Sequence, residues 1–61
     1  MNRIILRIES GQWVADFTDP EVLRVFGTRT LPTPYRSTMQ SDRVLAEIIK
    51  RNPDCTVSVR I

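Results

Sequence analysis

The 61-residue sequence predicts an α+β domain: a three-stranded antiparallel sheet, in the order 2-1-3, packed on one main helix. Three observations carry this. Two runs near the N-terminus alternate apolar and polar residues on either side of a short turn, residues 42–51 repeat apolar positions at three and four, and a third alternating run closes the chain. With a brief first helix, the element order is ββααβ, read as a single compact domain over 1–61.

Taken in order, residues 2–9 form the first expected strand. Ile4, Leu6 and Ile8 face one way, and Arg3, Ile5, Arg7 and Glu9 the other. Ser10-Gly11-Gln12 is a turn signal, after which Trp13, Ala15 and Phe17 alternate with Val14, Asp16 and Thr18, so the two runs pair as a hairpin. Asp19-Pro20-Glu21 is a helix start, with a capping carboxylate, a proline suited to the first turn and an acid near the positive end of the dipole. Val22, Val25 and Phe26 are expected to point inward, and Gly27 closes the helix because a residue without Cβ takes positive φ at little cost.

Phe26 to Tyr35, FGTRTLPTPY, is the most unusual stretch. It reads as a stiff crossover loop in which Pro32 and Pro34 fix φ and drive Leu31 and Thr33 towards extended backbone, with Leu31 and Tyr35 as apolar anchors. Gly27, Leu31, Pro32, Pro34 and Tyr35 therefore form a candidate docking strut, with packing of a tied-down loop as the alternative role. Ser41 or Thr38 is then expected to cap a helix from Asp42 to Arg51 whose stripe is Val44, Leu45, Ile48 and Ile49. Asn52-Pro53-Asp54 ends it, and Val57, Val59 and Ile61 alternate with Thr56, Ser58 and Arg60 in a final strand. The first strand, with the most continuous apolar run, takes the centre; a helical return then sets the final strand antiparallel to it.

Composition narrows the function classes. Hydrophobic content of 41% and charged content of 26% are those of a folding chain rather than a disordered one. Net charge is +2, yet eight of the nine basic residues are arginine, a bias that suits anionic partners and that genomic base composition also produces. The lone Cys55 excludes an intrachain disulfide and a cysteine-based zinc site, pointing to a reducing compartment. The start, MNRIILRIES, lacks the apolar run of a signal peptide or membrane span, so a cytoplasmic location without membrane partners is expected.

Catalysis has little to work with. There is no histidine to serve a serine or cysteine nucleophile, and most carboxylates are accounted for by helix starts, solvated helix positions and a turn, so neither enzyme activity nor a cofactor or metal is expected. Gly27-Thr28-Arg29-Thr30 has phosphate-binding residue types, but this glycine closes a helix instead of preceding one. The open sheet face is the better candidate. Alternation places Arg3, Arg7 and Arg60 there beside Thr56 and Ser58, with Arg29 or Arg36 in support, as a surface for anions or nucleic acid. Against this, Trp13 and Phe17 point to the core instead of offering stacking platforms, and Arg3 and Arg7 have Glu9 and Asp16 as ion-pair partners.

The run DPEVLRVFGTRTLPTPY, with Trp13-Val14-Ala15-Asp16-Phe17 before it and Val44 to Asn52-Pro53 after it, resembles a group of short uncharacterised bacterial proteins, cyanobacterial ones among them. The likeness covers most of the chain and implies a free-standing bacterial domain, while bringing no activity, cofactor or catalytic residue. The functional expectation is thus a small non-catalytic binding or regulatory module, acting through an unidentified protein partner or a homo-oligomer. Its open face, with Ile5 and Val14 exposed, and its two edge strands are the proposed contacts. Nucleic-acid binding is the alternative.

Overall fold

A computed structural model describes residues 2–60. The chain forms β1 (Arg3–Glu9), β2 (Gln12–Phe17), α1 (Pro20–Phe26), β3 (Thr30–Arg36), α2 (Ser41–Arg51) and β4 (Thr56–Val59). β1 and β2 make the expected hairpin, with Ile4 opposite Phe17 and Glu9 opposite Gln12. The turn is tight because Ser10 and Gly11 both adopt positive φ, 52° and 78°, the twist a two-residue hairpin loop requires.

The expected three-stranded antiparallel sheet is corrected to a four-stranded mixed one in the order β3-β2-β1-β4. The stretch read as a crossover loop is a strand, β3, antiparallel to β2 at the sheet edge. That extra strand turns the chain round once more before α2, so β4 arrives parallel to β1, with Arg3 opposite Thr56 and Leu6 opposite Val59. Prolines argue against a central strand but not against an edge strand whose N–H positions point away from the sheet. β2 pairs with β3 through an irregularity between Gln12 and Val14, where the Thr33 hydroxyl donates to the Trp13 carbonyl at 2.7 Å. The Gln12 amide also donates to the Thr33 carbonyl.

The core lies between one sheet face and α2: Ile4, Leu6, Trp13, Ala15, Val44 and Ile48 are buried together. Trp13 keeps its ring N–H satisfied by donating to the Met39 carbonyl at 3.0 Å, which ties the loop before α2 onto the sheet. Three inward expectations fail at the margins of this core. Ile8 is half exposed because β4 ends at Val59, opposite Leu6, leaving Ile8 without a neighbour on that side. Val25 and Phe26 are 62% and 60% exposed: the chain leaves the sheet after Phe17 and returns at Thr30, and α1 between them packs extensively against no other element. Val14, expected on the exposed face, is buried, since its register partners Arg7 and Pro32 flank it with a methylene stem and a ring.

Helix ends divide similarly. α1 starts as read, with the Asp19 carboxylate accepting from the Glu21 amide at 2.9 Å, and ends on Gly27 at φ 75°, whose N–H reaches the Leu23 carbonyl. α2 starts instead from Gln40, with no side-chain cap; neither Ser41 nor Thr38 takes that role.

Candidate functional site

The open face of the sheet carries a cross-strand ion pair at its centre. Arg7 on β1 sits diagonally across from Asp16 on β2 and donates from Nε at 2.6 Å and from an Nη at 3.3 Å to the two carboxylate oxygens. Its other Nη lies 3.5 Å from Glu9. Asp16 also accepts from the Thr30 hydroxyl of β3 at 2.5 Å, so one carboxylate links three strands. These hydrogen bonds, that from Arg7 foremost, hold the Asp16 carboxyl below its ordinary value against the opposing effect of partial burial, and Arg60 adds a further positive charge. The same partnership raises Arg7 above its usual value. A carboxylate engaged in this way holds strands together and is poorly placed to accept a substrate proton.

The five arginines of the expected anion surface are not brought into one cluster. Continuing the parallel register past Leu6 and Val59 sets Arg60 beside Arg7, and the Arg60 amide donates to the Leu6 carbonyl at 2.8 Å. Arg3 opens β1, four residues and so about 13 Å along the strand from Arg7. Arg29 precedes β3, its carbonyl accepting from Phe17, whereas Arg36 lies at the far end of the same strand, opposite Gln12. All but Arg7 are exposed, and Arg7 is already neutralised.

The residues of the expected docking strut have structural positions. Gly27 is the α1 cap, Leu31 faces Ala15, and Pro32 faces Val14 across β2–β3. Because Phe17 donates to Arg29, the bonded pairs on β3 fall at odd positions, and the backbone of Thr30, Pro32 and Pro34 points out of the sheet. Proline has no N–H to offer there, and the Thr30 N–H is taken by the Thr28 hydroxyl at 3.2 Å. The strut is an edge strand with its outward donors from Thr30 through Pro34 removed.

Two further surfaces had no clear sequence signal. A groove of about 150 Å³ lies between β2–β3 and the last turn of α2, with Phe17, Leu31, Tyr35, Ile48, Arg51 and Asn52 among its walls. Arg51 and Asn52 read in sequence only as a helix end. The second is α1, none of whose residues is buried although four of its seven are large and apolar. Among the described residues no group of side chains could hold a metal ion, no buried polar side-chain atom lacks a partner, and no helix is long and apolar enough to cross a membrane. Comparison with protein-family models, curated proteins and solved structures finds no match to this chain.

Proposed function

We propose that this chain is a small non-catalytic binding or regulatory module that works through protein contacts or self-association in a reducing, cytoplasmic setting. The observation that carries the reading is α1. Leu23, Val25 and Phe26 are 42%, 62% and 60% exposed on a seven-residue helix too short to be stable alone, Leu23 and Phe26 being neighbours at i, i+3, and a concentration of exposed apolar side chains of this kind marks contact sites. A photo-crosslinking residue placed at position 26, with one at the exposed position 50 as control, tests it. A defined protein adduct from position 26 alone supports the reading, including one to a second copy of the chain. Equal, diffuse labelling from both positions sinks it.

Nucleic-acid binding through the open face is the weaker alternative, because the central arginine already has two carboxylate partners and the others are dispersed. It expects affinity for mixed-sequence RNA or DNA that falls steeply with salt and is lost on replacing Arg3 and Arg60 with glutamine. Fluorescence titration at two ionic strengths decides it.

A further inference from the structure

The two sheet edges are treated oppositely. From Thr30 through Pro34, β3 has its outward donors removed by Pro32, Pro34 and the Thr28 hydroxyl, the usual means of stopping an edge from pairing. β4, TVSV, has neither proline nor charge. Its Thr56 N–H bonds to the Asn2 carbonyl and the Arg60 N–H to the Leu6 carbonyl, so the even positions face β1. By alternation the N–H and C=O of Val57 and Val59 point outward. Above this edge lies the apolar flank of α2. α2 packs closest to β4 among the strands; from the buried Ile48, Arg51 turns one way into the groove beside β3, and Ile49, 44% exposed, turns the other way on the side of Leu45.

From this asymmetry we infer that the β4 edge pairs with β4 of a second copy of this chain, antiparallel about a two-fold axis at Ser58. The inference rests on the self-association branch of the reading above and gives it a surface. Four points favour a second copy over a lone peptide strand. The outward groups are self-complementary: Val57 of each copy meets Val59 of the other, making four hydrogen bonds and one eight-stranded sheet. On the open face Ser58 meets Ser58 and Arg60 meets Thr56, so no like charges are directly opposed. Among the strands α2 packs closest to β4, so a two-fold axis beside β4 brings the two helices side by side on one face, where helices pack about 8–10 Å apart. There Ile49 and Leu45 are covered, which a peptide strand would not achieve. Finally, the two helices run antiparallel, setting the acidic first turn of one, with Asp42, beside the basic last turn of the other, with Lys50.

Sedimentation equilibrium tests this on the intact chain. The expected mass at high concentration is twice 7.1 kDa. Ile49→Lys changes an exposed flank, and Val59→Pro removes an outward N–H that the internal ladder does not use; each is expected to weaken the dimer at least tenfold. Ser58→Cys in a Cys55→Ser background should form an interchain disulfide under mild oxidation, because residues opposed at the axis approach to about 4.5 Å between Cα atoms. Thr56→Cys, which faces Arg60 of the other copy, should not. A strictly monomeric protein overturns the inference. So does a dimer indifferent to both substitutions and uncrosslinked through position 58, although it leaves self-association itself standing. A dimer abolished by Phe26→Ser but untouched by Ile49→Lys would likewise place the contact on α1.

Discussion

Asp16 shows how much of this small sheet turns on single side chains. Its carboxylate takes hydrogen bonds from Arg7 and Thr30, joining β1, β2 and β3. Because its folded-state value is depressed, the unfolded chain binds more protons in acid. The stabilisation is therefore complete above the ordinary carboxylate value of 3.8 and is lost as pH falls through the folded value. Asp16→Asn should flatten the acid limb of stability against pH, measured by urea unfolding from pH 6 to about pH 2. An unchanged limb would mean that the pair contributes nothing to folding. Gly27 gives a second residue-scale prediction. A Cβ there meets no atom within 4 Å, yet φ is 75°, so Gly27→Ala costs conformational strain alone, about 1 kcal/mol. Thermal unfolding measures that cost.

Among the elements, β3 and α1 are the informative pair. β3 combines two threonines and two prolines so that one side pairs with β2 while the other offers few donors. Replacing both Pro32 and Pro34 with threonine should leave the fold in place, since neither N–H position faces β2, but speed aggregation as seen by light scattering. Equal aggregation rates would show that the prolines serve stiffness only. In α1, Val25→Ser and Phe26→Ser remove side chains that bury little, so stability should move by no more than about 0.5 kcal/mol. A large loss on chemical denaturation would assign the helix a folding role and remove the observation on which the proposed function rests.

At the scale of the molecule, the constraint is size. Seven apolar residues are buried among those described, and only Ile4, Leu6 and Val44 are fully enclosed large side chains. Leu6→Ala typically costs about 2–5 kcal/mol at such a site, comparable with the whole stability of a domain this small. Far-UV circular dichroism should find that variant largely unfolded at 25 °C. A folded Leu6→Ala chain would imply stabilisation from beyond the single copy, with dimerisation at β4 the first place to look.

The hairpin, both helices and the last strand follow from local chemistry: alternation over Ile4, Leu6, Trp13 and Ala15, the Asp19-Pro20 start, the Gly27 stop and the 3–4 spacing of Val44 and Ile48. The Arg7–Asp16 pair was legible too, because side chains two apart on facing strands are diagonal neighbours. β3 was not, because a proline-rich strand is tolerated only when its N–H positions face away from the sheet, and that depends on the register with β2 rather than on composition. Missing that strand also inverted the direction of β4, since each added strand reverses the chain. The exposure of Phe26 and the asymmetry of the two edges were beyond the residue pattern for the same reason: periodicity assigns a side chain to a face, and only the packed structure decides whether anything covers that face.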